Sequence, residues 1–142
     1  MKKKVHVIHH THWDFEWYFT NHESFIQLTY HLDEVMNALE TNMIDVYLLD
    51  GQLSILDEYL QSFPDQVERI KQLVTSGKLI IGPWFSQTDD LIVAGESIVR
   101  NLDLGISLAE KLGGYFNVGY LPDSFGQGKD MPKIYNGFGM DK

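Results

Sequence analysis

Apolar residues follow two periods along this chain, and the periods alternate. Val5–His9 is a short β-branched run closed by polar residues, which predicts a buried strand. Over Ser24–Glu40 the apolar positions Phe25, Leu28, Leu32, Val35, Met36 and Leu39 recur every three or four residues, the spacing of a helix face. Asn21 or Ser24 is the expected cap. Ile44–Leu49 predicts a second strand, cut off by Asp50-Gly51. A helix is expected from about Leu53 to Leu60, and another from Pro64, tolerated at a first helical position, to Gly77. Leu79–Ile81 reads as a third strand closed by Gly82-Pro83. Ser97–Leu112 is a further amphipathic helix ended by Gly113-Gly114, and Phe116–Tyr120 reads as a fourth strand. A last short helix is expected near Met131-Pro132.

Strands that alternate with helices imply right-handed crossovers and a parallel sheet. The expected class is α/β, built from βα units. Four such units make a small open sheet or part of a barrel, and an open sheet edge invites self-association.

Composition narrows the partners. The chain has 142 residues, suited to one domain or part of one, and 44% of them are apolar. A formal charge of −9 argues against nucleic acid or an anionic membrane surface as main partner, since both require clustered Lys and Arg. No apolar stretch reaches transmembrane length and no signal-peptide pattern is present. Cysteine is absent, which excludes thiolate catalysis and fits a reducing, cytoplasmic setting.

The chemistry gathers where parallel α/β folds place it, behind the C-terminal ends of the strands. The first expected strand leads into "HHTHWDFEWYF" (9–19), with His10, His12, Asp14 and Trp17. The second delivers Asp50, the third Trp84, Asp89 and Asp90, and the fourth Asp123 in "LPDSFG". In extended backbone residues i and i+2 share a side, so His12 and Asp14 can grip one cation, with Asp123 as a third donor from another strand end. The competing readings are a polar loop for His12 and Asp14, a turn for Asp50-Gly51, and an Asx turn or cap for Asp123. Trp17, Tyr18 and Trp84 can stack on a sugar ring or simply pack. His10-x-His12 is a rival metal pair, of the kind that opens the site of amidohydrolase-like barrels; otherwise His9 and His10 belong to the core or support the ligands. Asp33, Glu34, Asp57, Glu58, Glu68 and Glu110 read as solvated helix faces.

"HTHWDFEWYF", "LLDGQ", "GPWFSQTDDLIVAGESIVRNL" and "GYLPDSFGQ", in that order, resemble the N-terminal part of bacterial α-mannosidases of glycoside hydrolase family 38. The resemblance implies that residues 1–142 are the first portion of a seven-stranded (β/α) barrel catalytic domain, followed by helical and β-rich domains. It implies retaining hydrolysis of terminal α-mannosides with one divalent cation, usually zinc. His12 and Asp14 match two of its ligands, Asp123 matches the acid that is both ligand and nucleophile, and Trp17 matches the aromatic floor under the sugar. Trp84, Asp89 and Asp50 are expected to contact substrate. Phe15-Glu16 stands where animal members commonly have Pro-Gly, as in bacterial members. The resemblance places the remaining histidine ligand and the general acid beyond residue 142. The alternatives are a metal-dependent amidohydrolase or carbohydrate deacetylase using His10 and His12, or a carbohydrate-binding chain without catalysis.

Overall fold

Helix α1 (Asn21–Glu40) turns Leu28, Leu32, Val35, Met36 and Leu39 inward, the face its spacing predicts. Its cap is Thr20 rather than Asn21 or Ser24. The Thr20 hydroxyl accepts the Glu23 N–H at 3.4 Å, and the Glu23 carboxylate accepts the Thr20 N–H at 3.0 Å. This reciprocal capping box satisfies two amide donors that a helix start leaves free.

The computed structural model describes residues 2–142. Three short parallel strands, β1 (His9–His10), β2 (Tyr47–Leu48) and β3 (Leu79–Ile80), lie in the order β1-β2-β3. His9 pairs with Tyr47, and Tyr47 with Leu79. Helix α1 crosses from β1 to β2. Helices α2 (Ser54–Ser62) and α3 (Val67–Thr75), joined through a 3-10 turn at Pro64–Gln66, cross from β2 to β3. Helix α4 (Gly95–Lys111) and the short α5 (Met131–Gly137) complete the order. Among the described residues, no helix is long and apolar enough to cross a membrane.

The main core fills the space between sheet and α1–α3, with Leu28, Leu39, Leu49, Leu56, Ile70 and Ile81 at its centre. Each such side chain contributes about 1.5–3 kcal/mol by leaving water. A second core gathers Trp84, Ile98, Leu102, Leu121, Met131 and Met140 under α4 and α5. Gly105 lets α4 reach the chain that follows β3. A Cβ there would run into the backbone of Pro83, Trp84 and Phe85.

Two expectations about strands fail, each for a local reason. Val5–His9 is not a buried strand: pairing begins at His9, and Val5, Val7 and Ile8 are exposed because no element among the described residues covers them. His9 and His10 are therefore at the surface and not in the core. Phe116–Tyr120 is not a fourth strand. Phe116 donates one ladder-like bond to the Ile81 carbonyl at 2.7 Å. The Val118 and Tyr120 amides then turn back onto the carbonyls two residues earlier, at 2.8 Å each, so no continuous ladder forms.

Candidate functional site

The site is built from the segments that follow β1, β2 and β3, together with the loop after Tyr120. The Thr11 amide donates to the Leu48 carbonyl at 3.2 Å, which carries the β1–β2 pairing one residue past the strand. Successive side chains then face opposite ways. Thr11 turns in, where its hydroxyl meets His31 Nε2 at 2.6 Å and also contacts the Tyr47 hydroxyl. The Trp13 ring stacks on His31 with centroids 5.7 Å apart, and the Trp13 carbonyl accepts from the Gln52 side chain at 3.1 Å. Burial depresses the His31 pKa, with Glu34 opposing it. This apolar, hydrogen-bonded base anchors the loop from both sides of His12.

His12 turns the other way and meets three carboxylates. Its Nδ1 lies 2.8 Å from Asp50 Oδ2, while its Nε2 lies 3.3 Å from Asp123 Oδ2 and 3.7 Å from Asp14 Oδ1. Burial alone would lower the His12 pKa. The hydrogen bond to Asp50 and the charges of Asp14, Asp50 and Asp123 outweigh it, and the net shift is upward. The field that draws a proton to this imidazole draws a metal cation equally well.

The two Nε2 distances have a specific meaning. They exceed an ordinary hydrogen bond, yet two ligands at about 2.1 Å from a tetrahedral ion stand roughly 3.4 Å apart. One nitrogen and two carboxylate oxygens are a donor set that zinc accepts. Among the described residues, no group of three or more His, Cys, Asp or Glu side chains is placed closely enough to hold a metal ion as it stands. The fit therefore lies in donor type and in the His12 spacings. His10, the rival ligand, is exposed, with its Nδ1 3.5 Å from Asp50 Oδ1.

Two of the acids sit on left-handed backbone, Asp50 at φ 34° and Asp123 at φ 55°. Non-glycine residues adopt this region rarely, with Asp and Asn the most tolerant, and such outliers concentrate at working sites. Asp123 stands on a turn held by the Ser124 hydroxyl, which donates to the Gly126 carbonyl at 2.7 Å. The same turn is tied across to Asp89, whose Oδ1 accepts the Phe125 amide at 2.9 Å. A cavity of about 350 Å³ opens beside these groups, lined by His12, Asp14, Trp17, Asp89, Asp123 and Phe125 among others. Trp17 is 68% exposed, free to face a ligand.

Two of the residues expected at the substrate lie elsewhere. Trp84 is 0% exposed; it is buried in the second core, where its Nε1 donates to the Tyr120 carbonyl at 2.9 Å and its ring meets Tyr135 edge-on. Its indole is packing, because the chain after β3 drives it under α4 instead of into the cavity. Asp50 is 2% exposed and lies behind His12. Its turn conformation and its contact with His12 are both present, so the two readings of Asp50 are not exclusive.

Asp90 is 7% exposed, and both of its carboxylate oxygens are buried without a hydrogen-bond partner. Burial raises its pKa; the Gly128 amide opposes this in part, and the charge of Asp89 adds to it. A raised folded-state pKa means the ionised form costs the fold. The penalty is absent below the ordinary value of 3.8 and appears as pH rises through the folded-state value. Asp90→Asn should therefore raise the melting temperature at pH 7 by a few degrees, and the gain should shrink as pH falls toward 4. Thermal melts of the two proteins across that range check it; equal melting at pH 7 would mean that the fold does not raise the Asp90 pKa.

Sequence reasoning missed Tyr120, Gln87, Phe125 and the Thr11–His31–Tyr47 cluster. Tyr120 ends the fourth expected strand, so extending the strand-end rule to hydroxyls would have reached it. Nothing in the sequence pairs Gln87 with Asp50 or His31 with Thr11.

Residues 2–142 match the glycosyl hydrolases family 38 N-terminal domain. A relative from Halalkalibacterium halodurans, named "Putative mannosylglycerate hydrolase", is 37% identical over 139 residues, covering 94% of this chain and 15% of its own length. Alpha-mannosidase G of Dictyostelium discoideum is 30% identical over 83 residues, 57% of this chain and 8% of that protein. The crystal structure of an alpha-mannosidase from Enterococcus faecalis V583 superposes with a TM-score of 0.86 at 38% identity, over 91% of this chain and 15% of that one. The chain thus spans about 15% of the length of the H. halodurans and E. faecalis relatives.

Proposed function

The chain belongs to glycosyl hydrolase family 38, and on that premise we propose that it supplies the nucleophile and part of the metal site of a retaining α-mannosidase. The observation that carries the reading is the meeting of His12 Nε2 with Asp123 Oδ2 at 3.3 Å, between segments from opposite ends of the chain. The sheet is proposed to be the first portion of a (β/α) barrel, as the family resemblance implies. The H. halodurans and E. faecalis relatives are several times longer, so the activity proposed is that of a polypeptide of their length that carries these residues.

In this reading His12, Asp14 and Asp123 would hold one divalent cation, zinc as the family resemblance implies. When bound, such an ion orients sugar hydroxyls and stabilises charge in the transition state. Asp123 attacks the anomeric carbon, and the bond to the leaving oxygen breaks as a second carboxyl protonates that oxygen. A mannosyl ester of Asp123 results. Water, deprotonated by the same second carboxyl, then cleaves the ester and frees Asp123. In retaining enzymes the two carboxyl groups stand about 5–5.5 Å apart. Trp17 offers a flat apolar surface to one face of the ring. Among the described residues the cavity lining carries the carboxylates of Asp14, Asp89 and Asp123.

The test is a full-length polypeptide with an aryl α-mannoside, its first-formed sugar followed by NMR. The expected result is α-mannose appearing before mutarotation, with turnover abolished by a chelator and restored by zinc. First-formed β-mannose would exclude retention, and chelator-resistant turnover would exclude the cation.

A further inference from the structure

Asp50 is the carboxylate at which the segments after all the strands meet. Its Oδ2 takes the His12 Nδ1–H at 2.8 Å, its Oδ1 takes the Tyr120 hydroxyl at 2.8 Å, and its backbone carbonyl accepts the Gln87 side-chain amide. His12 follows β1, Gln87 follows β3 and Tyr120 ends the Phe116–Tyr120 segment, while Asp50 itself follows β2. The carboxylate is thus buried, fixed at both oxygens and held on a left-handed backbone by a third contact.

We propose that Asp50 is the positioning residue for His12, and that Tyr120 holds Asp50 in place for that purpose. A neutral imidazole carries one proton on either nitrogen, and the partner of one nitrogen decides what the other offers. A carboxylate can only accept. Asp50 therefore keeps the proton on Nδ1 and leaves the Nε2 lone pair aimed at the side where Asp14 and Asp123 stand. The negative charge behind the ring also raises its strength as a donor to a cation. The Tyr120 hydroxyl occupies Oδ1, so the carboxylate cannot rotate away from His12 without losing a buried hydrogen bond. This assignment gives Asp50 a different role from a sugar contact. It rests on the proposed cation site for its consequence, but its direct statement concerns the ring of His12.

The experiment uses Asp50→Asn, Asp50→Ala and Tyr120→Phe in the full-length polypeptide, with two readouts. Zinc affinity is measured by competition with a chelator. The His12 tautomer is read in metal-free protein labelled with 15N-histidine, above the imidazole pKa, with His12→Gln identifying the resonances. The wild type should show proton on Nδ1 alone. Asp50→Ala should give a mixture of tautomers and weaken zinc by about 10–100-fold. Asp50→Asn, which tolerates the left-handed backbone, should keep the Nδ1 proton on its remaining carbonyl and still weaken zinc, because only the charge is gone. Tyr120→Phe should keep the tautomer and weaken zinc less than either. If Asp50 is purely structural, Asp50→Ala would lower the melting temperature without moving the tautomer, and that result would overturn the proposal. So would unchanged zinc affinity in both Asp50 variants. A wild type that binds no zinc would defeat the cation reading, yet the tautomer in wild type and Asp50→Ala would still decide the role of Asp50. An unfolded Asp50→Ala leaves the decision to Asp50→Asn and Tyr120→Phe, where a wild-type zinc affinity in both would count against it.

Discussion

Asp123→Asn in a full-length polypeptide is expected to lower kcat/KM for an aryl α-mannoside by roughly 10⁴-fold or more, the scale on which removing a covalent nucleophile acts. The substitution keeps the size and shape of the side chain. Asn is as tolerant as Asp of the φ of 55° found here, so the turn at Pro122–Gly126 should survive. Asp123 is 59% exposed and makes one close contact, with His12, so the melting temperature should stay within a degree or two. What the proposed mechanism loses is the anion that attacks the anomeric carbon and one charged ligand of the cation. Zinc content should fall as well, and measuring it separates the two losses: excess zinc can refill the site but cannot supply a nucleophile. Recovery of wild-type turnover at high zinc would mean that Asp123 is a ligand only. Turnover unaffected by the substitution would mean the nucleophile lies elsewhere.

The 142-residue chain by itself should release no aglycone above background, even with zinc added. Three physical deficits act together. The outer side of β1 has unpaired backbone, and the neighbouring Val5, Val7 and Ile8 are exposed, so the chain should be marginally stable or self-associate through that edge. The cation would have three ligands from this chain in place of four, which should leave it weakly held. The proton for the leaving oxygen has no ready source here. Asp89 uses one oxygen to hold the Phe125 amide, and Asp90 is buried away from the cavity. Losing a general acid typically costs about 10²–10⁴-fold by itself. The comparison requires both lengths of protein, one chromogenic mannoside and a size-exclusion profile of the short one. Robust turnover by the short chain would make Asp89 or Asp90 the acid and would revise the catalytic assignment.

The sequence by itself determined the elements whose signals are local. The apolar spacing of α1 names its buried face, Pro64 and Gly77 bracket the α3 region, and the alternation of periods implies a parallel sheet. The strand-end rule placed His12 and Asp14 behind β1, because in a parallel sheet topology alone decides which end of each strand faces the site; it reached Asp123 through a fourth strand that does not form, and a single Phe116–Ile81 bond leads the chain there instead. Capping and strand limits were legible only in part. Thr20 wins the α1 cap because Glu23 stands three residues on and can answer it, and Val5–Ile8 look like core yet have no neighbour to bury them. Only the tertiary structure decided what lies behind His12, Asp14 and Asp123. Asp50 and Trp84 have the right chemistry for a sugar, but one is turned under His12 and the other under α4, and no periodicity encodes that. Tyr120, Gln87 and His31 are ordinary residues in the sequence. They become parts of the site through contacts across the fold, where a hydrogen bond of 2.8 Å is fixed by packing rather than by spacing along the chain.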